Sequence, residues 1–263
     1  MSLQPGWTEH RIRRGGAVIG CREAGCGEPV LLLPAGGCPS LYLVGLAETL
    51  VRAGWRVISI DARGAGGSTG PEESLTLHDL AADVAAVIEQ LDAAPAHVVG
   101  HALGNRIARC VAADRPELVQ RLALLCAGGQ VAPDAETQAA ARRLLQTDLD
   151  DEQWRAALRA VYLSPHSDPG LVDRLSQSRG ATRIQAAANR ATTDFEWQDG
   201  GSAPMLILQG FDDRMAPPAN GHALAARLGA RVRVVDVARA GHLLPLEQPD
   251  IVARQVVDFL RNG

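Results

Sequence analysis

The chain has 263 residues, 46% of them hydrophobic, and its 26 basic and 30 acidic residues leave a net charge of −4. That is enough chain for one large domain, and the balance offers no basic surface for nucleic acid or an anionic membrane. Every basic residue is arginine, so Schiff-base lysine, pyridoxal attachment and a phosphate-loop lysine are excluded.

In chain order, Thr8 to about Leu33 reads as two short polar-flanked strands followed by a buried one, Val30-Leu31-Leu32-Leu33, closed by Pro34 and glycines. Ser40 is placed to cap a helix running to Ala53, with Gly54 as its stop, and Arg56 to Ile60 resumes the strand pattern. Thr76 and Asp79 have capping-box spacing and open a helix over 77–91. The strand around His97-Val98-Val99, a helix over 104–114 and the strand Leu122 to Leu125 follow. Such alternation predicts an α/β fold, a mostly parallel sheet with helices on both faces and its site at the strand ends.

The rhythm breaks over 132–202, where Trp154, Leu158 and Val161 stand at helical spacing and nothing reads as a strand. This predicts an inserted helical cap at 132–202, between core segments 1–131 and 203–263. Alternation returns with Met205 to Leu208, a helix over 218–228, Arg231 to Val237 and a closing helix over 249–261. The five cysteines include no C-x-x-C pair, so neither a disulfide framework nor a zinc site is expected. With no apolar leader or spanning stretch, the expectation is a cytoplasmic protein with a small-molecule substrate, no nucleic-acid or membrane partner, and no metal or cofactor.

Three segments carry chemistry. Gly100-His101-Ala102-Leu103-Gly104 lies between a strand and a helix, where a sharp turn leaves no room for Cβ atoms on either side of a strained apex, Ala102. Asp213 follows a strand, three residues after Gly210 and four before Pro217, and His242 follows the last strand in Gly241-His242. Asp61-Ala62-Arg63-Gly64-Ala65-Gly66-Gly67-Ser68 adds a fourth pattern. On these residues the chain resembles the α/β-hydrolase-fold superfamily, in the form that carries a helical cap; the order apex, acid, histidine is that of the family.

The resemblance implies a catalytic hydroxyl at 102, an acid at 213 and a base at 242, with an oxyanion hole formed by the backbone N–H groups of Leu103 and Gly36. The chain departs from it at the nucleophile. Ala102 cannot attack a carbonyl, so the acyl-enzyme route is closed, and dehalogenase or epoxide-hydrolase chemistry, which needs a carboxylate there, is closed with it. The wording G-H-A-L-G is similar to serine-less members such as the aminoacrylate hydrolase of pyrimidine catabolism. The expected function is hydrolysis or proton transfer on a small carbonyl compound by a His242–Asp213 dyad. One alternative is a serine esterase, or a C–C or thioester hydrolase, in which alanine has replaced the serine. Another is a non-catalytic ligand-binding relative.

Neighbouring residues have plainer readings. Asp212 competes with Asp213 but has the poorer spacing, and His101 reads as a packing residue of the elbow. Gly64 to Gly70 lacks the following helix that a dinucleotide loop needs. Cys38 reads as a small packed side chain, and Arg179, Arg183 and Arg190 read as a solvated helix face.

Overall fold

In a computed structural model, which describes residues 6–193 and 196–262, one eight-stranded sheet organises the chain. Its strands are β1 (Thr8–Arg14), β2 (Ala17–Ala24), β3 (Pro29–Leu33), β4 (Arg56–Ile60), β5 (Ala96–His101), β6 (Val119–Leu125), β7 (Met205–Gly210) and β8 (Val232–Val237). The order is β1-β2-β4-β3-β5-β6-β7-β8; β1 and β2 run antiparallel to their neighbours and the rest are parallel. The sheet is therefore mostly parallel, as the alternation predicts.

The core helices are α1 (Val44–Arg52), α2 (Leu77–Gln90), α3 (Leu103–Asp114), α7 (Ala219–Leu228), the single turn α8 (Leu244–Glu247) and α9 (Pro249–Asn262). Side chains of a strand alternate between faces, and β3 shows what that does here. Leu31 and Leu33 pack with α2 and α3 in one core, while Val30 and Leu32 pack with α1 and α9 in the other. A run that is apolar at every position is what a strand covered on both faces requires.

Between β6 and β7 lie α4 (Ala135–Arg143), α5 (Asp151–Tyr162) and α6 (Arg179–Ala191), and no strand forms among the described residues of this stretch. Each helix begins at a side-chain cap: Asp134 on Thr137 N–H, Asp150 in a capping box with Gln153, and Ser178 on Ala181 N–H. The Thr76–Asp79 capping box also forms at the head of α2. The Ser40 cap does not. Residues Ser40–Leu43 make a 3-10 turn before α1, and Ser40 Oγ donates instead to Asp61, at 2.8 Å. A buried carboxylate attracts that hydroxyl more strongly than a helix end does.

Candidate active site

The turn from β5 into α3 is as tight as its glycines suggest. Ala102 sits at φ 51° and ψ −110°, and its N–H donates to Leu125 O at 3.0 Å. A Cβ on Gly100 would lie 2.6 Å from Asn105 Cα, and one on Gly104 would lie 2.7 Å from the Leu33 carbonyl carbon. Positive φ at a residue bearing a Cβ is strained and persists only where its surroundings enforce it. Leu103 opens α3, so its N–H precedes the first intrahelical bond and has no backbone partner among the described residues.

The loop after β3 faces this elbow. Ala35 N–H donates to Tyr42 Oη at 2.8 Å, Gly37 N–H to Gln185 Oε1 at 2.8 Å and Cys38 N–H to Ala35 O at 3.1 Å. Gly36 is left as the one residue of the four whose N–H has no partner among the described residues. A Cβ placed on it would stand 3.5 Å from Leu103 Cδ2, so the two uncommitted donors flank the same space. The α6 segment fixes this loop: Gln177 Nε2 donates to Gly36 O at 2.7 Å and Ser178 N–H to Gly37 O at 2.8 Å.

The acid and the histidine come from two further strand ends. Asp213 is buried, its Oδ1 accepting from Met215 N–H at 2.9 Å and Ala216 N–H at 2.7 Å. Its Oδ2 lies 2.8 Å from His242 Nδ1. Nδ1 is thereby the protonated nitrogen, and Nε2 is left without a partner among the described residues, on a ring that lines the cavity described below. Asp212 goes elsewhere, its Oδ2 accepting from Ser164 Oγ at 2.6 Å.

His101 is more than packing. Tyr42 Oη, which already accepts from Ala35, donates to His101 Nδ1 at 2.6 Å, so His101 Nε2 donates to the His242 carbonyl at 2.7 Å. Burial, and then the nearby His242, push its pKa down to about 3, which keeps it neutral. The chain Ala35–Tyr42–His101–His242 thus connects the β3 loop to the histidine loop beneath Ala102.

A second set of bonds holds the histidine loop from above. Glu247 accepts from Ser164 N–H at 2.8 Å, Ser167 Oγ at 2.5 Å and Gly241 N–H at 2.8 Å, while His242 N–H donates to Tyr162 O at 2.7 Å. Burial raises the Glu247 pKa against these bonds. The role of Glu247 depends on contacts with residues some eighty positions away along the chain.

These parts enclose a cavity of about 320 Å³ between the strand ends and the segment carrying α4 to α6, lined by Gly36, Ala102, Leu103, Met215 and His242 among others. Cys38 lines it too, as a buried thiol whose pKa burial pushes up. The Arg179–Arg183–Arg190 face is not simply solvated: Arg179 donates to Asp151 at 2.7 Å and lies over Trp154, and Arg190 lines the cavity. Arg106, one helical turn beyond Ala102 on α3, lines it as well, and no sequence pattern singled it out.

Ligand atoms of Cys126, Asp213 and His242 lie within 4.8 Å of one another. The set does not suit a metal ion. Both Asp213 oxygens and His242 Nδ1 are already engaged, and burial drives the Cys126 thiol well above its ordinary range, away from the thiolate a metal needs. The Gly64 to Gly70 turn is structural: Asp61 accepts from Gly67 N–H at 2.9 Å, and Arg63 pairs with Asp83 at 2.7 Å.

An eight-stranded, mostly parallel sheet with a strained elbow, a following acid and a final histidine defines a class, and residues 28–249 match it: the chain belongs to the alpha/beta hydrolase fold family. The curated proteins it matches carry names of peroxidases, hydrolases and esterases. A Mycobacterium tuberculosis protein named as a non-heme bromoperoxidase is 29% identical, over 91% of this chain and 96% of that one. The 2-hydroxy-6-oxononadienedioate/2-hydroxy-6-oxononatrienedioate hydrolase of Cupriavidus pinatubonensis is 27% identical, over 100% of this chain and 94% of its own. Among solved structures, an esterase from Exiguobacterium antarcticum superposes with a TM-score of 0.84 at 20% identity, covering 97% of this chain and all of that one. No helix among the described residues is long and apolar enough to cross a membrane.

Proposed function

We propose that the protein acts on a small carbonyl compound by general acid–base catalysis, with His242 as the base, Asp213 as its orienting partner and no covalent intermediate at position 102. The observation that carries this reading is the 2.8 Å His242–Asp213 bond, with the other Asp213 oxygen anchored by two backbone N–H groups and the ring on the cavity wall. A histidine without catalytic work has no need of a buried carboxylate held so firmly.

The methyl group of Ala102 leaves space where the family's hydroxyl would stand. A water in that space passes a proton to His242 Nε2 as its oxygen bonds to the carbonyl carbon. The electron pair of the C=O bond moves to oxygen, facing the N–H groups of Leu103 and Gly36, each worth about 3 kcal/mol when well aimed. Collapse then breaks the bond to the leaving group, which takes the proton from His242, while Asp213 stabilises the imidazolium in between. The same proton transfer serves elimination, decarboxylation or ring closure on a suitable substrate. Among the relatives, a hydrolase named for an oxo-dienedioate supports a small carbonyl substrate. The helical segment 132–202 acts as the cap over this site.

The strain retained at Ala102 favours a second reading, a serine hydrolase whose apex carries alanine in this chain. Kinetics on a panel of activated esters and oxo acids separates the two. On the non-covalent reading, wild-type protein shows no acyl-enzyme burst, and His242→Ala lowers turnover by about 10²–10⁴. Ala102→Ser then leaves turnover of the best substrate unchanged or lower. Wild-type turnover in His242→Ala would overturn the mechanism, and a gain of several orders of magnitude in Ala102→Ser would favour the serine reading.

A further inference from the structure

Among the described residues, the cavity wall carries cations and no counter-charge. Arg106, Arg142 and Arg190 line it, and among the described residues no aspartate or glutamate does, in a chain whose net charge is −4. Two of the three are exposed at the rim, but Arg106 is set deeper. Its Nη1 donates to Asn189 Oδ1 on α6 at 2.8 Å, and it makes no ion pair among the described residues. Burial lowers its pKa, which says that the charge is held at some expense to the fold. The space around it is shaped for it: a Cβ on Gly128, just beyond β6, would come 2.8 Å from Arg106 Nη2.

Arg109, the next arginine along α3, sharpens the point. It is 1% exposed and also lacks an ion pair among the described residues, yet its guanidinium is satisfied. It donates to Asn105 Oδ1 at 3.0 Å and to Gly128 O at 2.8 Å, and it stacks over Trp197 at 5.0 Å. Arg109 is an internal strut. Among the described residues Arg106 has one bond, to Asn189, and the rest of its donor fork is uncommitted at the wall. Asn189 Oδ1 is taken by Arg106, so Asn189 Nδ2 is an additional free donor at the same place.

We propose that the cavity selects a small organic carboxylate with an apolar body, and that Arg106 and Asn189 bind its carboxylate group. An uncompensated guanidinium beside a second N–H donor matches the planar pair of oxygens of a carboxylate. The cavity around it is otherwise lined mainly by apolar side chains such as Leu103, Leu144, Leu175 and Leu243, which fits the body of such an acid. Because Ala102 is the cap residue of α3 and Arg106 stands one turn later on the same face, the fork stands at a fixed distance from the elbow. The bound acid is thereby oriented with its anionic end away from His242. The proposal rests on the reading of this cavity as the substrate site, and its test is a binding test that needs no turnover.

The experiment titrates wild-type protein, at mildly alkaline pH, with phenylacetate and 4-phenylbutyrate and with the neutral amide of each. Binding of the acid is expected to exceed that of its amide by about tenfold or more, a preference that shrinks as salt is added. Arg106→Gln, which keeps a donor toward Asn189 but no charge, is expected to abolish the preference. Asn189→Asp sets a carboxylate against Arg106 without touching α3, is expected to do the same, and decides the matter should Arg106→Gln fail to fold. His242→Ala is expected to retain the preference, so a failed mechanism and a failed carboxylate site give different results. Equal binding of acid and amide, no binding of either acid, or a preference that survives both Arg106→Gln and Asn189→Asp would overturn the proposal.

Discussion

The turns that follow β4 and β7 each bury an aspartate at the end of a parallel strand, and they use it differently. Asp61 accepts from Ser40 N–H at 2.7 Å and Ser40 Oγ at 2.8 Å with one oxygen, and from Gly67 N–H at 2.9 Å with the other. Both oxygens go to groups that stay where the fold puts them. Asp213 commits one oxygen to the backbone in the same manner, and offers the other to His242, whose far nitrogen has no partner among the described residues and lies at a cavity wall. A buried carboxylate at a strand end is therefore not by itself a site. What matters is whether its last acceptor goes to a group that can still move a proton.

Parallel substitutions can break that contrast. Asp213→Asn should cut turnover by about 10²–10⁴ in a protein that still folds, because the amide no longer fixes the His242 tautomer or stabilises the imidazolium. Asp61→Asn should leave turnover per folded molecule near wild type. It should lower stability by about 1–3 kcal/mol in a urea titration, because an amide NH₂ then faces a backbone N–H or hydroxyl donor. Loss of activity in folded Asp61→Asn, or full activity in Asp213→Asn, would abolish the distinction.

His101 sharpens the comparison, since it touches the proton-moving side of the molecule yet stays neutral. Its pKa falls from 6.5 to about 3 on folding. Between those values the unfolded chain takes up a proton that the folded one refuses, so stability declines as pH falls through this window. The slope from this group is about 1.4 kcal/mol per pH unit at most. Urea titrations across the window should show a shallower decline in His101→Gln than in wild type; equal slopes would show that the ring does not remain neutral.

Glu247→Gln should have the smallest effect, about 1 kcal/mol or less, and it tests how firmly the histidine loop is held from the α5 side. The raised pKa of Glu247 means that its charged form is disfavoured on folding, so the stability tied to its neutral form is lost as pH rises. A neutral amide removes that penalty while losing one acceptor, and the two changes partly cancel. A loss of several kcal/mol, or a fall in turnover as large as that of Asp213→Asn, would make Glu247 part of the proton-moving machinery.

Much of this could be read from the chain itself. The alternating strands, the Thr76 capping box, the glycines flanking Ala102 and the order of apex, acid and histidine are local patterns, and local sterics enforce them: Gly100 and Gly104 have backbone where a Cβ would stand. The preference for Asp213 over Asp212 also came from local spacing, and the hydrogen bonds run the same way. The residues that sequence reasoning missed have no local signature. Ser40 has the spacing of a helix cap, yet Asp61, twenty-one positions later, draws its hydroxyl away. Arg106 looks like any arginine on an amphipathic helix until α6 brings Asn189 to it and Gly128, just beyond β6, leaves room beside it.

The sequence by itself determined the order of strands and helices and the strained turn with alanine at its apex, because each follows from backbone geometry over a few neighbouring residues, and the family resemblance pointed to Asp213 and His242 as the proposed acid and base. Only the tertiary structure decided that, among the described residues, the Gly36 N–H stays uncommitted while those of Ala35, Gly37 and Cys38 do not, that His101 is neutral, and that Arg106 faces a cavity with no counter-charge among those residues. Those properties are what remains of each group's hydrogen-bonding capacity and charge after packing has satisfied the rest, and that remainder depends on partners far away along the chain.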